Sequence, residues 1–342
     1  MNVKNVVKKN NFKASFAILR MYLSFVVVNL HLFNTKTSKI KNKYIIRILK
    51  NSLSVPLFYL MSFYFSSKIF IKIERNKLIL RFERLLIPYF IWPIIILLIN
   101  RIFNIAYKLN LKDSLNDIKL QFLLGHNFMP VLWFQINLIF VTFLIIILRK
   151  IFYKNLIYIL LNLEIFSYFI QYSNLNFKLF SNFHFCIRYP IGRFIEIIPY
   201  CISGYIFGYL NCEIFLEKNK IKVVSFFLFF YALVIKYDMF IIPKGFGYQG
   251  INLNVLSIII FIIISSISFE NKIIIRYIKI YAQFSSGIYY LHNPIWTYFS
   301  CFFGFIKNKT FYGSITIYFI CYLISFIGLK IFGKTKLRNL FI

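Results

Sequence analysis

The sequence predicts an all-α, polytopic membrane protein with about ten transmembrane helices. Three observations predict it. Of the 342 residues, 60% are hydrophobic and the mean hydropathy is +0.71, too apolar for a chain with a water-facing surface. Apolar runs of roughly 20 residues, enough to cross a hydrocarbon core of about 30 Å, recur from end to end. Basic residues gather between these runs, as charges do when loops set membrane orientation.

The runs begin near residues 14, 53, 85, 131, 155, 195, 221, 251, 281 and 314. The first follows Lys4, Lys8, Lys9 and Lys13. It lacks a small-residue cleavage site and Arg20 interrupts it, so it reads as an uncleaved span rather than a signal peptide. The third carries Pro88 and Pro93, which a membrane helix tolerates where neighbours satisfy the freed carbonyls. Little chain remains for a soluble module, so residues 1–342 read as one transmembrane domain. Positive loop charge places both termini on the cytoplasmic side. The basic loop between Lys36 and Lys50 opposes that orientation: either it is a re-entrant or lipid-surface segment, or the orientation is wrong there.

A net charge of +31 raises the question of nucleic acid. A nucleic-acid binder concentrates its basic residues on one face or module; here they are scattered among apolar runs, as topology determinants and contacts to lipid headgroups. Cys186, Cys201, Cys212, Cys301 and Cys321 show no C-x-x-C spacing and read as packing residues rather than a disulfide framework or metal site. No Walker loop, G-x-G-x-x-G or H-E-x-x-H occurs, which gives an NTPase, a dinucleotide enzyme or a zincin no support. Trp92 and Trp133 lie near run ends and read as interfacial belt residues. His126 and His184 fall in loops without a partner at metal-ligand spacing.

The candidate chemistry sits in the first run. Ionisable groups at bilayer depth are expensive, and they mark sites or pathways. Arg20 and His31 are eleven residues apart, which at about 100° per residue returns His31 to within about 20° of Arg20, some 16 Å further along the same face. One stripe thus offers a permanent cation and a titratable base. The alternative is structural: Arg20 paired with Glu164 or Glu196, and His31 bonded to a carbonyl.

Five segments, taken together, resemble the acyltransferase-3 family of integral membrane acyltransferases. They are Arg20 through His31-Leu-Phe33; Ser54-Val-Pro-Leu-Phe-Tyr-Leu-Met-Ser62, similar to a V-P-L-F-F stretch before an S-G-Y-F turn; and Arg84-Leu-Leu-Ile-Pro-Tyr-Phe-Ile-Trp92, similar to R-L-L-x-P-Y-x-x-W. Arg193 through Pro199-Tyr-Cys-Ile-Ser-Gly204 and Gly208 resembles an arginine followed by a Y-F-x-x-G-Y helix. Ser286-Gly-Ile-Tyr-Tyr-Leu-His292-Asn-Pro294 resembles G-I-Y-L-x-H-x-P. Two positions depart from the pattern. Phe63 replaces a glycine, which would open a tight helix contact, and Asn293 separates His292 from Pro294.

The resemblance implies transfer of an acyl group, by family habit acetyl from acetyl-CoA, to a hydroxyl of a cell-surface glycan or glycolipid, without a metal. It also implies a bacterial cytoplasmic membrane. Imidazole suits removal of a hydroxyl proton near neutrality, so His31 is either general base or acyl carrier. Arg20 would orient the donor or meet developing charge. Arg84 and Arg81, in the basic stretch from Lys72 to Arg84, are candidates for the CoA phosphates; a positive-inside anchor is their plainer reading. His292 reads as a packing residue whose ring bonds carbonyls freed by Pro294. The rival function is a transporter or flippase for a lipid-linked glycan, but no repeat relates the two halves as such transporters often show.

Overall fold

The computed structural model describes residues 3–32, 53–107, 130–172, 185–211, 219, 221–233, 250–265, 267, 269, 271–307 and 309–341. The loop between Lys36 and Lys50, with His126, His184 and Cys212, lies outside them. The described residues are predominantly helical, with no strand among them.

In chain order the helices are α1 (Val3–Leu32), α2 (Ser54–Lys72), α3 (Arg75–Tyr107), α4 (Trp133–Ile151), α5 (Leu156–Tyr172), α6 (Phe185–Tyr209), α7 (Ile221–Leu233), α8 (Ile251–Ser265), α9 (Lys272–Ala282), α10 (Ser285–Ser300), the single turn α11 (Gly304–Lys307) and α12 (Phe311–Phe332). Every apolar run read from the sequence falls on one of them. Five are long and apolar enough to cross a membrane: Ala14–Leu32 within α1, α2, Arg75–Asn104 within α3, α4 and α12; α5, α7 and α8 are apolar but shorter. The 19-residue apolar part of α1 measures about 28 Å at 1.5 Å per residue. Pro88 and Pro93 lie inside α3 without ending it.

The main core is continuous and draws on α1 to α6, α10 and α12; a smaller apolar cluster joins α1, α2 and α8. The most extensive helix pairing is α2 with α6, and its cause is local. Gly204 and Gly208 lie one turn apart, and a Cβ on either would collide with Leu60 backbone or with Ser67 and Tyr64. Small residues four apart let two backbones approach closely. The contact expected to open at Phe63 is therefore made from the other helix. Phe63 itself is fully buried, its ring 6.0 Å from Phe70.

Both tryptophans correct the belt reading. Trp92 and Trp133 are buried; Trp92 donates to the Leu340 carbonyl at 3.3 Å, and Trp133 lies under the Arg193 guanidinium. The third helix begins at Arg75, ten residues before its apolar run, so Trp92 sits well inside it. Cys201 and Cys321 are buried, as packing residues should be, while Cys301 is exposed.

Gly204→Ala is expected to lower the thermal midpoint of the purified protein, since overpacking costs about 1–3 kcal/mol. Gly192→Ala, within the same helix but where the added Cβ meets nothing within 4 Å, should melt no lower than the wild type in the same thermal scan, since Ala favours a helix interior over Gly by about 0.5–1 kcal/mol.

Candidate functional site

The first-run stripe meets one partner helix at both ends. The Arg20 Nη2 donates to Ser285 Oγ at 2.9 Å and lies 3.5 Å from Ser286 Oγ. Further along, the His31 and His292 rings are 5.3 Å apart between centroids, tilted by 36°. Since Arg20 meets Ser285 and His31 meets His292, α1 and α10 run in the same direction. On α10 the two contact residues are seven apart, which also returns to within about 20° of one face. Two helices thus lay matched stripes against each other: hydroxyls opposite arginine, imidazole opposite imidazole.

The arginine end is cationic. Arg20 lies within electrostatic reach of Arg84 and of Tyr290. It pairs with neither Glu164 nor Glu196. Glu164 accepts from Ser203 and Asn254, and Glu196 is held by Arg193 at 2.8 Å. Both Arg20 bonds leave through Nη2, so the rest of its donor fork has no acceptor among the described residues. Arg84 is exposed and makes no hydrogen bond or ion pair among the described residues. Two neighbouring guanidinium groups without a carboxylate repel each other, and a bound anion would relieve that repulsion.

Arg81 meets a different fate. Its guanidinium donates to Thr142 at 3.2 Å, to Ser62 at 3.3 Å and to Ser66. It also lies 5.1 Å from the Phe63 ring and 5.3 Å from that of Phe70. Three hydroxyls and two aromatic faces bind α3 to α2 and α4 through this one side chain. Of the two arginines proposed for phosphate contact, Arg84 is the one left open.

The imidazole end pairs an exposed ring with a buried one. His31 is exposed and His292 is wholly enclosed. His292 Nδ1 is 3.3 Å from the Ile288 carbonyl. A carbonyl only accepts, so Nδ1 carries the proton and Nε2 is a bare lone pair. That Nε2 is buried and has no hydrogen-bond partner among the described residues. The sequence-based expectation for His292 needs correcting in one respect. Pro294 sits inside an unbroken α10 and frees the carbonyl four residues earlier, at Tyr290, whereas the ring bonds Ile288.

Neighbours fix the end of α1 that carries His31. Ser314 Oγ donates to Asn29 Oδ1 at 2.6 Å, and Asn29 Nδ2 donates back to Phe25 O at 3.0 Å. Lys309 Nζ donates to the His31 carbonyl at 3.3 Å while standing 4.6 Å from the Trp296 ring centroid. A cation at a helix C-terminus complements the dipole and satisfies a carbonyl that the helix cannot.

Sequence reasoning found Arg20, His31 and Arg84, and it quoted Ser286 and His292 in a motif. The same motif contains Tyr290, to which no role was given, and Ser285 was missed. The signal was available in the seven-residue spacing of Ser285 and His292, which mirrors that of Arg20 and His31. No three His, Cys, Asp or Glu side chains converge as metal ligands among the described residues. No family model, curated protein or solved structure matches the chain.

The two arginines predict opposite outcomes. Arg81→Gln should lower the thermal midpoint clearly, because three hydroxyls and two rings lose a buried partner. Arg84→Gln should leave the midpoint unchanged, as a substitution at an exposed and unpaired position does. Comparative melting of the two purified variants checks both.

Proposed function

We propose that this chain is an integral membrane acyltransferase that moves an acetyl group from acetyl-CoA to a hydroxyl of a cell-surface polysaccharide or glycolipid. The observation that carries the proposal is the double seam between α1 and α10, an anion-seeking arginine end and an imidazole pair on one face. Five crossing-length apolar helices and the scattered basic loops support the membrane, in a bacterium the cytoplasmic one with both termini inside. The motif resemblance supports the reaction class.

Arg20 and Arg84 would take phosphate oxygens of acyl-CoA, since a guanidinium fork meets phosphate with two parallel donors. Arg81 acts behind them by holding α3 in place. His31 is the general base: a ring nitrogen takes the hydroxyl proton as the acceptor oxygen attacks the thioester carbon. The carbon–sulfur bond then breaks, and the departing CoA sulfur receives that proton from the imidazolium. His292 is a positioning residue: its Nε2 lone pair is unpartnered among the described residues and would accept the His31 ring N–H once that ring, 5.3 Å away between centroids, turns toward it, leaving the other nitrogen outward. This base–orienter pairing follows the logic of activated nucleophile sites. No metal is required by any of these steps.

The test is mass spectrometry of surface glycans from cells carrying the wild-type gene, a deletion, or His31→Ala. The proposal expects loss of one acetyl increment in both altered strains while the glycan itself remains. Accumulation of a lipid-linked precursor in the deletion strain, with His31→Ala behaving as wild type, would replace it with a transporter. With purified protein, His31→Ala should slow CoA release by about a hundredfold or more, the usual worth of a positioned base. Arg84→Gln should instead raise KM for acyl-CoA with kcat little changed, the signature of lost ground-state binding.

A further inference from the structure

The helix leading into the seam, α9, carries a surface that the proposed reaction does not use. Its eleven residues, Lys-Ile-Ile-Ile-Arg-Tyr-Ile-Lys-Ile-Tyr-Ala, separate into three faces when turned at about 100° per residue. Ile275 and Ala282 are buried and fall within one narrow arc, the side on which α9 packs against α1. Lys272, Arg276 and Lys279 follow at i, i+4 and i+7 and share an arc of about 60° beside it. The remaining arc holds Ile273, Ile274, Tyr277 and Ile280, with exposures of 66%, 48%, 56% and 39%. None of the three basic side chains has a hydrogen bond or ion pair among the described residues.

The placement of α9 gives these faces a direction. Ala282 is three residues before Ser285, which holds Arg20, and Arg20 is six residues into the apolar segment that begins at Ala14. Six residues are about 9 Å of helix. The end of α9 therefore lies near the start of that segment, where acyl chains give way to headgroups. A helix lying in that plane beside a protein has a protein side, a lipid side and a headgroup side. The angular order of buried, basic and apolar arcs is the order this requires.

We propose that α9 is an in-plane interfacial helix that docks on anionic phospholipid. Lys272, Arg276 and Lys279 meet the headgroup phosphates, and Ile273, Ile274, Tyr277 and Ile280 sit among the upper acyl chains. The partner follows from charge and shape together: three unpaired cations in one stripe, flanked by an exposed apolar and aromatic face, fit a negatively charged bilayer surface. Only Gln283 and Phe284 separate α9 from Ser285, so seating α9 sets the height of the hydroxyls that hold Arg20. This inference rests on the membrane reading and is independent of acyl transfer.

The test is amide hydrogen exchange of the 271–283 segment in the full-length protein, in nanodiscs of phosphatidylcholine alone or mixed equally with phosphatidylglycerol. Wild-type exchange is expected to slow by about tenfold or more with phosphatidylglycerol, given the attraction of each basic residue to an anionic surface. The K272Q/R276Q/K279Q variant should lose that response, and K272R/K279R should keep it; both alter exposed or half-exposed positions, and matched melting curves check that they fold. Equal wild-type exchange in the two lipids, or an undiminished response in the glutamine variant, would overturn the proposal. Extraction of native membranes with alkaline carbonate separates the two readings. Release of the protein would refute the membrane reading itself, whereas retention with a lipid-insensitive α9 would refute the docking alone.

Discussion

The hydrogen bond from Arg20 to Ser285 is the constraint from which the rest of the site follows. A guanidinium six residues inside an apolar segment must find acceptors, because an unpaired charge there costs several kcal/mol. The chain supplies hydroxyls rather than a carboxylate. A carboxylate would neutralise the charge; a serine satisfies a donor and leaves the charge in place. Bonds from charged donors to neutral hydroxyls are worth about 1.5–3 kcal/mol, enough to set α10 against α1. The positive field survives for use. Arg84 then stands within reach of a charge already committed, and the pair becomes a site that favours an anion.

The same economy of hydroxyls and amides runs through the bundle. Arg81 is bound by Ser62, Ser66 and Thr142, Asn100 accepts from Tyr298 at 2.8 Å, and Ser314 donates to Asn29. Apolar surface gives helices little reason to prefer one neighbour over another when the surroundings are also apolar. Polar contacts supply that preference, since each leaves a buried group unsatisfied in any other register. Close packing at Gly204 and Gly208 acts alongside them by letting α2 and α6 approach at backbone distance. These contacts fix the relative height of the helices, and with it the level at which His31 meets His292.

The all-helical character was legible in the sequence, because hydrophobic length is read directly from composition, although only five of the helices on which the ten apolar runs fall are long and apolar enough to cross a membrane among the described residues. The Arg20 and His31 stripe was legible for the same reason, since angular spacing along one helix needs no tertiary information. Pairing between helices was not. Ser285 and His292 share a face just as visibly, yet nothing in their spacing says which stripe they oppose. Arg81 and Arg84 show the limit most sharply. They differ by about 60° around one helix, and that rotation decides whether a guanidinium is enclosed by serines and phenylalanines or left open. Trp92 failed for a related reason: apolarity begins near residue 85, but the helix begins at Arg75, so distance from the run's start misjudged its depth.

Exposure along the seam has its own logic. His31 is open while His292 is enclosed, and the tautomer of the enclosed ring is set by the Ile288 carbonyl of its own helix. A buried neutral imidazole with a fixed lone pair can orient a neighbour without competing for solvent or substrate. An open imidazole can exchange protons with what arrives. Under the proposed transfer, exchanging the two environments would bury the base and expose the orienter. The Lys309 cap on the His31 carbonyl fits the same division, because it steadies the last turn of α1 through the backbone rather than through the ring. The asymmetry of burial between two identical side chains therefore suits them to the different tasks that the proposed transfer gives them.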